Sequence, residues 1–484
     1  MSCGTTQDDE NPPMPLAPAA AILCTKCSAP SIIQIRMNGY CNDCFLQAFN
    51  SKYKQGMNPA LRRSRYGSDR QRKLGKRGNV KRSSILVAFS GGPASMALLE
   101  MVKRFTKEKE RDPRDRSAPN YTAIEVAYVD ETGVPGAVDH TEEARALVEA
   151  AGLIFVPLKL SSIFDSPALS TSLSSTSLPL SFDKSAPTSL SALFASLSPT
   201  SLASLRSSLV QSLLRRTAVA RNHEILLTGE TATRVAIKVI AGMAEGRGFA
   251  LGEEVGAEFE AEEGKVTVVR PFSLALQMEV NLFLELAELK GKGWEDGSAG
   301  KEEARQAGDR DVKKKGIERL TEDFVLGLEE NFPSTVSTII RTAGKLGLRT
   351  SHADVNEEAE TLCPLCGLTA QFGASEWRKA VTVSSLEPFR GVQPIASTEV
   401  TTPLNNTTYD ARIPLSSLLC YGCLLILDGL QQQDAARNGG VGEILLPAYV
   451  GDAARDRWAL EKPTEVRARS EAETDAVVKE FLID

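Results

Sequence analysis

Eight of the nine cysteines in this 484-residue chain fall into four CxxC pairs, and no other feature restricts its fold as tightly. The pairs are Cys24/Cys27, Cys41/Cys44, Cys363/Cys366 and Cys420/Cys423, and only Cys3 stands alone. Two residues between thiolates let a tight turn aim both sulfurs at one metal. Two such knuckles complete a tetrahedral four-sulfur site that suits zinc. The first two pairs are thirteen residues apart, with Gly39 and Tyr40 before the second knuckle and Phe45 after it, which fits a small zinc ribbon over 21–49. The other two, CPLCG and CYGC, are 53 residues apart, so a second site within 346–484 has to close across a long insert. One shared metal is favoured there, because a single CxxC leaves two coordination positions open. An iron–sulfur cluster is the alternative at either quartet. Disulfides conflict with the intracellular profile of the chain.

Residues 85–99 read ILVAFSGGPASMALL. An apolar strand runs into Ser90-Gly91-Gly92 and then into a helix that starts near Pro93. A strand–turn–helix of this kind aims backbone N–H groups and a helix N-terminus at an anion. ATP pyrophosphatases with an SGGxDS loop hold pyrophosphate this way. Here Pro93 has no N–H to offer, and Ala94 stands where an acid is expected. The cradle is retained and its side-chain chemistry is not, which argues against ATP as a cofactor of this chain. No cysteine lies between Cys44 and Cys363, so the central region has no thiol to carry sulfur. The three histidines, His140, His223 and His352, sit in no catalytic pattern, and no catalytic residue is assigned.

The middle of the chain alternates apolar runs with helical patterns. Strands are expected at 85–89, at 122–130 ending on Asp130, and at 153–158, 223–229 and 266–272, with helices between them. Such alternation predicts an α/β fold, a doubly wound parallel sheet over 83–345. Ligands bind beyond the carboxyl ends of such strands. Ser90, Gly91, Gly92, Ser95, Asp130 and Gly229 should therefore share one rim as a vestigial nucleotide site. Two stretches read as inserts: the Ser-rich 161–208, expected as a flexible surface segment whose end turns helical, and the charged 290–316. Residues 1–20 read as a disordered tail.

Charge is unevenly spread. The net charge is −6, yet residues 50–82 hold twelve Lys and Arg against Asp69 alone, with Tyr53 and Tyr66 interleaved. That predicts a basic RNA-binding arm in which Lys52, Lys54, Arg62, Arg63, Arg65, Arg70, Arg72, Lys73, Lys76 and Arg77 fork onto phosphates and the tyrosines stack on bases. No apolar run reaches the length of a membrane span, and the acidic, Pro-rich N-terminus does not read as a signal peptide. A cytoplasmic protein without membrane contact is expected.

A four-Cys ribbon, a basic arm, an SGG loop in an α/β domain, Arg270-Pro271-Phe272 before a helix, PSTVSTI at 333–339 and a C-terminal cysteine quartet together resemble the cytoplasmic tRNA 2-thiolation proteins, and among them the protein 2 family. Active thiolases carry SGGKDST, a GHNADD-type segment and central cysteines. This chain has Ser90 to Met96 as SGGPASM, Gly229 to Arg234 as GETATR, and no central cysteine. The resemblance implies a PP-loop, adenine nucleotide hydrolase-like fold flanked by two zinc modules. It implies the non-catalytic subunit of a heterodimer with a catalytic thiolase. That pair takes sulfur from a thiocarboxylated ubiquitin-related modifier and places it on the wobble uridine of tRNAs for Lys, Glu and Gln, giving 5-methoxycarbonylmethyl-2-thiouridine. Two alternatives stand beside it: a self-sufficient PP-loop RNA-modifying enzyme, and a zinc-ribbon nucleic-acid-binding scaffold.

Overall fold

The computed structural model describes residues 23–35, 38–66, 83–111, 121–164, 173–175, 178–180, 190–191, 193–194, 197–262, 264–291, 293–294, 316–345, 362–371, 374, 415–427 and 446–460. The expected tail at 1–20, with Cys3, lies outside them.

A short antiparallel pair, β1 (Ile33–Ile35) and β2 (Asn38–Tyr40), leads into helices α1 (Asn42–Gly56) and α2 (Asn58–Tyr66). The sheet then begins. Chain order is β3 (Ser83–Phe89), α3 (Pro93–Arg111), β4 (Tyr121–Asp130), α4 (Thr141–Ala150) and β5 (Ile154–Lys159). A small ladder pairs β6 (Leu173–Ser175) with β7 (Leu178–Leu180). Next come α5 (Pro199–Ala220), β8 (Ile225–Leu227), α6 (Ala232–Ala244), α7 (Leu251–Val255), β9 (Glu258–Ala261), β10 (Val266–Val269) and α8 (Gln277–Leu286). Helices α9 (Ile317–Asn331), α10 (Pro333–Ala343), α11 (Leu415–Leu418), α12 (421–427) and α13 (Ala448–Leu460) follow.

The six-stranded sheet has the order β5-β4-β3-β8-β10-β9. Its first five strands are parallel, and β9 runs antiparallel at the edge. This is the expected α/β fold. The edge strand β9 was not visible in sequence, because Glu258-Phe259-Glu260-Ala261 carries little apolar signal. Order reverses between β3 and β8: the chain steps outward through β4 and β5, then returns to the other side of β3. Such a reversal opens a crevice at the carboxyl ends of the two strands.

A parallel sheet buries both faces, and alternate side chains supply two cores. Ile85, Val87 and Phe89 join Val126, Tyr128, Ile225, Leu227 and Val269 on one face. Leu86 joins Ala127, Leu226 and Val268 on the other. The first face is covered by α1, α3, α4 and α8, the second by α5 and the C-terminal cysteine region.

Two expectations change here. Residues 50–66 of the basic arm are helical and part of the body. The reason is an apolar stripe at helical spacing, Phe45, Phe49, Tyr53, Met57 and Ala60, all buried on the first core. The Ser-rich stretch also contributes to the interior: Leu190, Leu193, Phe194, Leu205 and Leu209 are buried on the second core. Helix α5 starts at Pro199, where Ser198 caps it by accepting from the Ser201 N–H at 3.2 Å. Ser204, Ser208 and Ser212 repeat every fourth residue on its buried side, small enough for close approach. Among the described residues, no helix is long and apolar enough to cross a membrane.

The last residue of α1 lies against the turn that follows β10: a Cβ on Gly56 would lie 2.0 Å from the Pro271 carbonyl oxygen. Gly56→Ala should therefore cost about 1–3 kcal/mol of stability by overpacking against backbone. Gly327→Ala, in α9 with nothing within 4 Å of the added carbon, should be neutral or add up to about 1 kcal/mol. Urea unfolding of the two variants checks the contrast.

Candidate functional site: a phosphate loop and two four-cysteine centres

The loop after β3 sits at the reversal of strand order. Pro93 opens α3, where its fixed φ suits a first helical turn and its missing N–H costs nothing to the helix. Gly91 has φ +79°, a left-handed conformation that a side chain would strain. Ser95 donates to the Gly92 carbonyl at 2.9 Å, and the Ser90 and Ser95 hydroxyls are 3.4 Å apart. A Cβ on Gly229, at the end of β8, would lie 3.1 Å from Ala94 and Ser95 backbone atoms, so these two loops close on each other. Asp130 reaches the same rim, since β4 pairs with β3 through Tyr128 and Phe89. Its carboxylate turns back on its own chain, accepting from the Thr132 N–H at 2.9 Å and from the Thr132 hydroxyl. The structure thus gathers Ser90, Gly91, Gly92, Ser95, Gly229 and Asp130 at one edge.

Sequence reasoning missed the residue that covers this loop. Trp294 lies against Gly91, stacks on His140 at 4.7 Å and meets Phe89 and Tyr128 edge-on at 6.0 and 5.8 Å. It is the one aromatic in the charged 290–316 stretch, and that isolation was the available signal.

The segment after Gly229 is fixed by charge. Glu230 pairs with Lys238 and with Arg270, the arginine of the Arg-Pro-Phe motif. Burial would raise the Glu230 carboxyl, but the two cations outweigh it and hold it at about 2. Arg270 is fully buried, donates to the Glu254 carbonyl at 2.7 Å and to the Gly256 carbonyl, and lies over the Phe259 ring. Thr231 caps α6 by accepting from the Arg234 N–H at 3.2 Å.

Each cysteine quartet comes together. The four sulfurs of each group lie within 4.8 Å of one another, with Cys27 and Cys41 at 3.6 Å and Cys366 and Cys420 at 3.9 Å. Tetrahedral thiolates about 2.3 Å from one ion stand roughly 3.8 Å apart, so each donor set fits a single metal ion. The two centres share one local design. Each first pair sits on a knuckle closed from Ser28 N–H to Cys24 O at 2.9 Å, or from Gly367 N–H to Cys363 O at 2.8 Å. The fourth residue after the first cysteine is left-handed in both, Ser28 at φ 59° and Gly367 at φ 67°. Each second pair opens a helix: Cys41 is the N-cap of α1, and Cys420 precedes α12. A helix N-terminus favours negative charge on those sulfurs.

Their surroundings differ. Cys27 is exposed and Cys41 half-buried, whereas all four C-terminal cysteines are buried. The Cys41 N–H brings the Cys24 thiol down to about 6, while the Cys41 thiol pushes Cys44 up to about 12. At the C-terminal centre burial opposes ionisation of Cys363, yet hydrogen bonds from Cys366, Cys420 and Cys423 draw its thiol well below the usual range. Buried Arg215 donates to the Cys366 carbonyl at 2.7 Å. Arg247, also buried, packs on Gly422 and pairs with Glu254 at 3.2 Å. Thiolates holding an ion there would meet the positive charge of Arg247.

The predicted RNA contacts divide. Lys52 forms an ion pair with buried Glu279 at 2.6 Å, Lys54 lies 5.5 Å from the centre of the Phe105 ring, and Arg62 pairs with Glu258. Tyr53 is 1% exposed and packs on Phe105 and Phe272, so it cannot stack on a base. Arg63 and Arg65 fall on α2. Arg70, Arg72, Lys73, Lys76 and Arg77 lie outside the described residues.

Comparison with known proteins gives one consistent family. A family model described as Cytoplasmic tRNA 2-thiolation protein 2 matches residues 316–425. The chain is similar to the protein of that name from Scheffersomyces stipitis, 23% identical over 443 residues, covering 88% of this chain and 93% of the relative. It is 30% identical over 192 residues to the human protein of that name, covering 40% of this chain and 35% of the relative. Among solved structures, the U34-tRNA thiolase NcsA from Methanococcus maripaludis with its 4Fe-4S cluster aligns with TM-score 0.45 and 17% identity, over 76% of this chain and 100% of that one.

Three variants test the site. Cys363→Ser should lower bound metal from two ions per chain to one and strongly destabilise the domain, because that centre lies in the second core. Cys27→Ser, at the exposed centre, should lose one ion with a smaller loss of stability; elemental analysis with thermal melts reads both. Glu230→Gln should cost about 3 kcal/mol at neutral pH by leaving Arg270 buried without its partner. The Glu230 carboxyl is held below its ordinary 4.5, so its contribution is full above that value and fades toward pH 2. The stability gap between wild type and variant should therefore narrow as pH falls through this window.

Proposed function

We propose, from the premise that this chain belongs to the cytoplasmic tRNA 2-thiolation protein 2 family, that it is the non-catalytic, tRNA-binding subunit of a cytoplasmic thiolase acting on the wobble uridine. The observation that carries this reading is the loop at the strand-order reversal. It has the backbone of a pyrophosphate cradle, Pro93 and Ala94 in place of its reactive residues, and an acid, Asp130, committed to Thr132. Thiolation needs a bound nucleotide, a positioned base and a sulfur carrier. With no cysteine between Cys44 and Cys363, the carrier has to come from elsewhere. The resemblance supplies it as a catalytic partner subunit fed by a thiocarboxylated ubiquitin-related modifier.

In this reading zinc fills both cysteine centres and acts structurally. Each would be closed by four thiolates, with no position left open for a substrate. The N-terminal ion would fix Cys41 and the start of α1, from which the chain runs through α2 into the basic stretch. RNA contacts are assigned to Arg63, Arg65, Arg70, Arg72, Lys73, Lys76 and Arg77. Lys52 is tied to buried Glu279 instead, and the exposed Lys54 and Arg62 stay within the RNA-binding set.

The test is a thiolation assay with the chain alone and with the catalytic subunit. Product is expected only in the combined reaction, and turnover by the chain alone would refute the reading. Arg72, Lys73 and Arg77 changed together to Ala should weaken tRNA binding and reduce its salt slope by about two to three. Lys52→Ala should lower the melting temperature and leave the slope unchanged.

A further inference from the structure

Glycines in a phosphate-binding turn leave the Cβ side of the backbone open, so that a ligand can lie directly against the chain. In this protein that side is filled at Gly91, while at Gly92 the nearest atom to an added Cβ is the Ser90 hydroxyl at 3.7 Å. A Cβ on Gly91 would lie 2.1 Å from the Trp294 indole, and one on Gly293 would lie 2.1 Å from the Gly91 carbonyl oxygen and 3.0 Å from Met96. The two backbones are thus in direct contact, each made possible by a glycine. The half-buried indole is also contacted by His140, stacked at 4.7 Å and 19°, and meets Phe89 and Tyr128 edge to face. His140 is itself placed, since its N–H donates to the Tyr128 hydroxyl at 3.2 Å. Aromatic pairs in such geometry contribute about 0.5–1.5 kcal/mol each beyond the area they bury. Phe89 and Tyr128 are paired neighbours at the ends of β3 and β4, and His140 precedes α4. The rings therefore come from the scaffold of the crevice itself.

We propose that Trp294 is a built-in plug over Gly91 of the phosphate loop, so that this chain excludes nucleotides by occupancy as well as by the loss of reactive side chains. This goes beyond the subunit assignment, which requires only that the loop perform no chemistry. It also explains why the turn keeps Gly91: the left-handed backbone and the bare Cβ side now receive an indole.

The experiment uses the full chain labelled with 5-fluorotryptophan. It contains Trp294, Trp377 and Trp458, and Trp294→Phe assigns the signal. In the wild type the Trp294 resonance should show a solvent-isotope shift well below that of the denatured chain, and millimolar Mg–ATP should leave it in place. Gly91→Ala and Gly293→Ala, which press on the contact from opposite sides, should each move it to the solvent-exposed position. Gly152→Ala should not, because Gly152 has a similar φ of +76° but nothing within 4 Å of the added carbon. An exposed Trp294 signal in the wild type, a saturable shift with Mg–ATP, or no movement in either loop variant would overturn the plug. If neither variant folds, the wild-type shift and the nucleotide titration still decide. Failure here would leave the subunit assignment standing, whereas turnover by the chain alone would remove that assignment without touching the ring contacts.

Discussion

A parallel sheet can leave neither face in water, and the architecture of this protein follows from how its two faces are covered. On one side lie α1 and the start of α2, whose stripe from Phe45 to Ala60 joins the first core and sets Phe49 against Phe272 and Phe283. On the other lie α5 and the C-terminal cysteine region, with Leu205, Leu209, Leu365 and Leu418 in one core. Each cover carries a four-cysteine centre. The two ends of the described chain are thereby fastened to opposite faces of the same sheet, and an ion bound at either centre would couple its binding to folding and to coverage of the sheet.

Burial on both sides explains how charge is used. Cations that a solvated arm would offer to RNA are drawn into the body where a carboxylate waits, as Lys52 is by Glu279. Arg270 is buried completely, but its donors reach two carbonyls and Glu230, so no charge is left without a partner. Beside the buried cysteines, Arg215 donates to the Cys366 carbonyl and Arg247 pairs with Glu254. A buried cation of this kind fixes geometry more than it adds stability, because desolvation consumes most of the attraction. Here the geometry it fixes is the position of α6 and α7 relative to the sheet edge.

The reversal of strand order is where a fold of this class places a ligand. This chain keeps the crevice and puts its own tryptophan there. The rings around Trp294 and the glycines beneath it are mutually dependent: removing either side would expose an indole or open a void.

The sequence by itself determined the sheet, the loop and both cysteine centres. Those depend on local chemistry, namely apolar runs of strand length, a glycine turn before a helix, and CxxC spacings that can face one metal. It also held the α1 stripe in plain view, although the density of Lys and Arg around Tyr53 hid it. What only the tertiary structure decided were the pairings between distant residues: Lys52 with Glu279, and Trp294 over Gly91. A side chain's partner across two hundred residues is set by how the sheet is wound, and no local periodicity encodes that distance.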